Sequence, residues 1–325
     1  MAVFIIRRLL QAIFVVFAMS LIVFVGVNAV GDPVYMFVAP DAPQEEIERV
    51  IRQFGLDRPV WEQYWLFLSG ALAGDLGDSY VFGTPALALI IERAGATFEL
   101  AVVSLLIAAV IGIPLGLHAG LRPEARSSQV IMAGSILGFS LPTFWVGLVM
   151  IIVFAVELGV LPSTGRGDTA TFLGITASVF TLDGLSHIAL PAINLALLNT
   201  SLIIRLTRAG VRETSGQDFM KFARAKGLSE RRIVGVHLMK SIMIPVVTVL
   251  GLEFGSLIAF SVVTETIFSW PGMGSLLIES ILVLDRPVIV AYLMMIVLVF
   301  VLINLIVDIV YSLLDPRVRL QDQGA

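Results

Sequence analysis

The side chains that could do chemistry in this chain are few and scattered. There is no cysteine, so no thiolate ligand, disulfide or sulfur nucleophile is available. The three histidines, His118, His187 and His237, lie far apart, and none sits in an HExxH pattern. No GxSxG or paired-aspartate motif falls in an apolar run, and no GxxxxGK(S/T) phosphate loop occurs. What remains is a set of polar groups inside long apolar runs. His187, Asn194, Ser201 and Arg208 follow one another at intervals of seven, close to two helical turns, and form one slowly drifting stripe. Lipid penalises such a face, which suits a wet path through a bundle or hydrogen bonding between helices. Asn194, Ser201 and Glu253 are therefore candidate pathway residues, with a buried structural carboxylate as the other reading of Glu253. Asp308 reads as structural, and Glu99 and Glu157, at the outer ends of spans, read as solvated.

The elements that must position these groups follow from composition. Of 325 residues, 58% are hydrophobic and 14% charged, against about 25% charged in a soluble domain. That balance excludes a soluble enzyme, a disordered chain and a nucleic-acid binder, and it predicts an all-α polytopic membrane protein. Six apolar runs are long enough to cross a bilayer, at about 9–30, 98–120, 129–158, 187–206, 239–264 and 288–313. The first is too long for a signal-peptide core and lacks a small-x-small cleavage site, so it is read as a retained span. With the N-terminus inside, 15 of the 21 lysines and arginines fall on inner segments, which gives an N-in, C-in, six-helix topology. The chain divides into the N-terminus and first span (1–30), an outer segment (31–97), a five-helix core (98–314) with a long inner loop at 207–238, and an inner tail (315–325).

The outer segment carries ten acidic residues against four arginines. Pro43 and the acidic residues after it predict a helix at about 43–54 that stops at Gly55. Trp61, Tyr64, Trp65 and Phe67 form an interfacial run, either a belt on the bilayer or a shelf for an external partner. Single cysteines at Ser79 and Ser215 are expected to report outside and inside, respectively. In the fifth run, Gly251, Gly255 and Ala259 make a small-residue face with Glu253 roughly opposite, which predicts a central span. Pro271-Gly272 is a turn signal, and Trp270 beside it suits the membrane interface.

The inner loop holds most of the information. Ser215 and Asp218 resemble a capping box, and Gly227 suits a left-handed helix stop, so a helix of about three turns is expected between them. Phe219, Phe222 and Ala223 share a face at i, i+3, i+4, with Lys221 and Arg224 off it. Ser229 then reads as an N-cap for the fifth span. Such a helix either docks in another protein's groove or lies on the lipid surface.

The stretch ARAKGL at 223–228, preceded by GQDF at 216–219, resembles the coupling loop of ABC importer permeases, in particular the dipeptide/oligopeptide/nickel permease family. GDPV at 31–34, FGLDRPVWEQYW at 54–65, GDLGDSY at 74–80, HIALPA at 187–192 and ETIFSWPGMG at 265–274 extend the resemblance over essentially the whole chain. It implies a type I importer permease fold in a bacterial inner membrane. The implied partners are a second homologous permease, two ATP-binding cassette subunits and a periplasmic solute-binding protein. The coupling residues would be Phe219, Phe222, Ala223, Arg224 and Gly227, and the outer mouth would include Trp270, Pro271 and Gly272. No cofactor, metal or nucleic acid is implied. The cargo would be di- or oligopeptides, with nickel, glutathione or opine-like solutes as alternatives. The family's loop runs Glu-Ala-Ala, three residues, Gly; Lys221 and Phe222 replace its first two positions. The stretch 166–183 is longer than the family leads one to expect. An ion-coupled transporter using Glu253 and Asp308 is the rival from another class, favoured by internal repeats that the sequence does not show.

Overall fold

The computed structural model describes residues 2–29, 34, 38, 42–53 and 57–314. Gly55, most of GDPV and the tail 315–325 lie outside the described residues. Five helices are long and apolar enough to cross a membrane: α1 (Ala2–Ala29), α4 (Ala86–Leu121), α7 (Leu182–Ser215), α9 (Glu230–Phe260) and α12 (Arg286–Leu314). The expected third span is instead two helices, α5 (Arg126–Ser140) and α6 (Thr143–Glu157), bent by 104°. The break has a local cause. Leu141 precedes Pro142 and is extended (φ −83°, ψ 134°), because the proline ring disfavours a helical residue before it. Shorter helices are α2 (Gln44–Gln53), α3 (Val60–Leu72), α8 (Asp218–Ala225), α10 (Val262–Ile267) and α11 (Met273–Leu282).

The chain forms two compact units, Met1–Ala94 with Ser275–Val301, and Gly95–Gly274 with Leu302–Ala325. In the first, the aromatic run on α3 divides by helical phase. Tyr64 and Phe67 turn onto α1, where Tyr64 meets Ser20 Oγ at 2.9 Å and Phe67 stacks on Phe24 with ring centroids 5.8 Å apart. Trp61 and Trp65 remain exposed. Asp285 is fully buried; Ser79 Oγ donates to it at 2.5 Å and the Tyr80 amide at 3.1 Å. Ser79 is therefore buried, and a cysteine there would be shielded, contrary to its expected use as an outer reporter. The neighbouring Asp78 is exposed, as is Gln217 at the other end of the chain's span pattern. In intact cells an impermeant thiol reagent should label Asp78→Cys and spare Gln217→Cys until the membrane is opened. The reverse pattern would invert the topology.

In the second unit the central helix is α7, with 61% of its apolar window buried against 28% for α9, so the centrality expected of the fifth span belongs to the fourth. Glycines bring the neighbours close. Gly112, Gly116 and Gly120 on α4 face Ile203, Ile204 with Thr207, and Val211; a Cβ at Gly116 would lie 2.7 Å from the Ile204 carbonyl oxygen. Gly138 and Gly147 face Ser201 and Asn194 in the same way. Gly251 packs on Val307, so part of the small-residue face on α9 does serve close helix approach.

The long stretch 166–183 is a folded cap. Strands β1 (Ala170–Phe172) and β2 (Ile175–Ala177) pair antiparallel around Leu173-Gly174, both at positive φ, as a two-residue hairpin requires. A single 3-10 turn, Ser178–Phe180, leads to Thr181, whose hydroxyl accepts the Gly184 amide at 2.9 Å and starts α7.

Candidate functional site

At the outer end of the second unit, buried polar contacts converge on α4 around Thr97, about three turns from its first residue. Glu265, in the ETIFSWPGMG stretch, is fully buried. Its carboxylate accepts from Thr97 Oγ1 at 2.7 Å, Ser261 Oγ at 2.8 Å and the Gly274 amide at 2.7 Å. Thr97 Oγ1 in turn accepts the Met273 amide at 2.8 Å. Gly272 lies so close to the Glu265 carboxyl that a Cβ would collide with it. Trp270 is not at an interface: it is fully buried and donates Nε1–H to the Ala96 carbonyl at 2.9 Å. An indole with its single donor satisfied can be buried whole. The turn is a pinned structure, and its geometry is set by residues about 170 positions earlier in the chain.

Glu99, two residues further along α4, holds the cap. Its side chain is 6% exposed and pairs with Arg166 at 2.6 Å. It also accepts the Ser178 amide at 2.6 Å, Ser178 Oγ at 2.7 Å and the Val179 amide at 3.0 Å. The expectation of a solvated Glu99 is thus corrected: a carboxylate can be buried where a guanidinium and two amides replace water. Glu157 is exposed, as expected. Arg166 also lies 5.8 Å from the Trp270 ring, which joins cap and turn.

Asn194 and Ser201 are buried inside the unit, at 0% and 3% exposure, so neither faces open space in this chain. Asn194 Nδ2 donates to Thr264 at 3.2 Å, and Ser201 Oγ bonds the Leu197 carbonyl at 2.9 Å. For Asn194 and Ser201 the stripe is a seam between helices, each meeting a glycine small enough to admit it, Asn194 at Gly147 and Ser201 at Gly138, while His187 meets Gly167 of the cap. Glu253 differs. It is half-buried on α9 and makes no hydrogen bond or ion pair among the described residues.

At the inner end, α7 continues to Ser215, which is its last residue rather than a cap for α8. Ser215 Oγ bonds back to the Val211 carbonyl at 2.6 Å, and Gln217 occupies the N-cap position without a side-chain bond. The helix α8 is eight residues, about two turns, and Gly227 ends it at φ +74°, the left-handed region expected there. Ser229 does precede the next helix but makes no side-chain cap bond. The buried face of α8 is Met220 with Ala223, packed into a core with Val211, Ile233, Leu238 and Ile242. Ala223 therefore belongs to the seat of the helix and not to its outer face. Phe219 and Phe222 are 41% and 61% exposed. Lys226 Nζ lies 4.6 Å over the Phe222 ring, and Arg224 Nε donates to Glu230 at 3.0 Å. The result is a short aromatic knob on a rigid base.

Met220, Thr97, Glu99, Arg166 and Glu265 were not singled out from the sequence for these roles. A buried Met220 is signalled only by its i, i+3 relation to Ala223, and the outer carboxylates only by partners remote in sequence.

Residues 112–320 match the family described as binding-protein-dependent transport system inner membrane component, and residues 1–101 match its N-terminal companion. The glutathione transport system permease protein GsiC of Escherichia coli K12 is 37% identical over 317 residues, covering 97% of this chain and 98% of that one. The dipeptide transport system permease protein DppB of the same strain is 34% identical over 333 residues, with the same coverage. Among solved structures, an inward-facing form of the MetNI methionine ABC transporter aligns with a TM-score of 0.54 at 17% identity, over 70% of this chain and 96% of that one, which is a likeness of fold. A multi-helix membrane chain with this match across nearly its whole length belongs to the binding-protein-dependent transport system inner membrane components, the pore-forming permease subunits of ABC importers, whose ATP hydrolysis resides on separate chains.

Proposed function

We propose that this permease is one half of a two-permease pore, paired with a homologous, non-identical chain and driven by two ATPase subunits, and that it imports di- or oligopeptides delivered by a periplasmic binding protein. The observation that carries the coupling part is the aromatic knob: Phe219 and Phe222 exposed on α8, with Met220 and Ala223 buried beneath them. Exposed aromatics on a seated helix suit a protein groove. A lipid-bound helix needs no such rigid seat. The peptide cargo is supported by the dipeptide and glutathione permeases among the relatives, glutathione being itself a peptide. Transport proceeds by alternating access, with ATP-driven closure of the ATPases moving α8 and thereby the bundle. Glu253 is the group in the spans best placed to meet solute, and Trp270, Pro271 and Gly272 shape the outer mouth.

The test is reconstitution of the complete importer in vesicles with its binding protein, which is first screened against dipeptides, longer peptides, glutathione and nickel. Peptide uptake that needs both ATPases and ATP is the expected result. Uptake without the ATPases, or a binding protein that recognises only non-peptide solutes, overturns the corresponding half of the proposal. In the same vesicles Glu253→Gln should change the uptake rate while leaving the assembled complex at wild-type yield.

A further inference from the structure

The aromatic run on α3 (Val60–Leu72) belongs neither to the coupling helix nor to the outer turn. Its depth in the membrane follows from what it touches. The first span covers Ile6–Gly26. Tyr64 reaches into that span: its hydroxyl lies 2.9 Å from Ser20 Oγ, and its ring meets Phe17 and Phe24 edge-on, with centroids 6.3 and 5.3 Å away. Phe67, three residues on, stacks on Phe24 at 5.8 Å. Counted along α1 from Gly26, Phe24 lies about 3 Å inside the end of the span, Ser20 about 9 Å and Phe17 about 13 Å, at about 1.5 Å per residue. Half of the hydrocarbon core is about 15 Å. Tyr64 is therefore sunk below the end of the span, and Phe67 holds the helix near that level at a second point.

The rest of α3 is open. Trp61 and Trp65 are 73% and 68% exposed, and Val60, Leu66 and Leu72 are exposed with them. At about 100° per residue, the two indoles lie between the face set on α1 and the exposed polar side of Glu62 and Ser69. An apolar strip bordered by polar groups is the pattern of a helix lying at a bilayer surface, with indoles at headgroup level. The strip is also level with the exposed apolar side of the span it grips, where Leu21, Ile22 and Val25 are open. A soluble protein docking on these indoles from the aqueous side would first have to displace headgroups.

We propose that α3 is a monotopic membrane helix lying in the headgroup–acyl boundary at the Gly26 end of α1, with phospholipid covering Trp61 and Trp65. Of the two readings open to the aromatic run, this selects the belt on the bilayer over the shelf for an external partner. The lysine and arginine distribution assigns this end to the outer leaflet. Placed there, α3 fixes the height of the first span, because Tyr64 and Phe67 grip α1 while the indoles stay at the headgroups.

The experiment assembles the permease with its partner subunits in phosphatidylcholine nanodiscs. These carry a trace of phosphatidylcholine photoactivatable at the glycerol end of an acyl chain. Cross-linked residues are mapped by mass spectrometry, with and without saturating binding protein. Label is expected on Trp61 and Trp65 at a level comparable with Ile22 of α1, unchanged by the binding protein. Trp65→Cys, in a chain with no native cysteine, should react with an impermeant thiol reagent about tenfold more slowly than Asp78→Cys, equivalent to about 1.4 kcal/mol of shielding. Trp65→Phe should keep the lipid label, whereas Trp61→Glu combined with Trp65→Glu should lose it from α3 and retain it on Ile22. Loss of label from wild-type α3 on adding binding protein overturns the proposal in favour of a docking shelf. Unlabelled indoles in the wild type without binding protein overturn it as well. A slow Trp65→Cys reaction would then assign the face to the second permease, and a fast one to water.

Discussion

Glu265→Gln will lower the yield and thermal stability of the assembled permease and open the 269–274 turn to protease. The carboxylate is fully buried and receives at least three donors on its two oxygens, from Thr97, Ser261 and the Gly274 amide. A glutamine must present its NH₂ either to the Gly274 amide or to the two hydroxyls. Thr97 cannot easily turn to accept it, because its oxygen already accepts the Met273 amide. At least one buried donor is left facing another, which costs about 1–3 kcal/mol, and hydrogen bonds to a charged acceptor are themselves worth about 1.5–3 kcal/mol each. Glu265→Leu, which loses every acceptor, should be worse than Glu265→Gln, and Thr97→Val should fall between wild type and Glu265→Leu. Apparent melting of the purified complex, with limited proteolysis of the turn, measures the order. A Glu265→Gln complex that melts with wild type and resists protease equally would show that the charge is dispensable there.

Phe222→Ala will leave the permease folded and break its coupling to the ATPases. Phe222 is 61% exposed, so truncation removes nothing from this chain's own core. Burying an aromatic side chain at an interface contributes about 1.5–3 kcal/mol, and truncating one at a well-packed contact costs about 2 or more. Since 1.4 kcal/mol is tenfold, ATPase association should weaken about tenfold or more, with loss of solute-stimulated hydrolysis. Lys221→Ala is the control. It removes an exposed ion pair with Asp218 at 2.9 Å, worth about 0–1 kcal/mol. Gly227→Val acts differently. Nothing lies near its Cβ position, yet φ +74° is hostile to a β-branched residue, so the helix would be misaimed without a clash. Met220→Ala would instead loosen the seat, at about 2–5 kcal/mol of local stability. Co-purification and ATP turnover in nanodiscs separate these cases. Full association and full stimulated turnover in Phe222→Ala would return α8 to the lipid surface.

The spans and the left-handed stop at Gly227 were legible because each depends on local pattern: apolar length, and one glycine after a short amphipathic run. Two kinds of error came from the same source. The stripe of Asn194 and Ser201 was legible as a stripe, but sequence spacing cannot say whether glycines on another helix wait opposite it. Trp270 and Glu99 were placed in contact with lipid headgroups or water because their partners, Ala96, Arg166 and Ser178, are supplied by segments remote in sequence. The face of α8 was misread by one residue. Phe222 and Ala223 are adjacent, and only the packing beneath decides which of the two turns inward. The broken third span was foreshadowed by Pro142, whose 104° consequence no propensity specifies.

The 34 residues of α7 make one helix of roughly 50 Å, at about 1.5 Å per residue, with Pro191 inside it. Its outer end begins at the Thr181 cap, and its inner end passes within two residues into α8. Seen mechanically, the rod is a lever with its bearing in the glycine seams near Gly116 and Gly138 and its handle at the aromatic knob. A swing of the handle by an ångström or two would turn the opposite end the other way by a similar amount, less whatever bending Pro191, inside the helix, absorbs. On the proposed mechanism, the outer cap and the inner knob then share one lever, and a stroke delivered inside would be carried to the outer end.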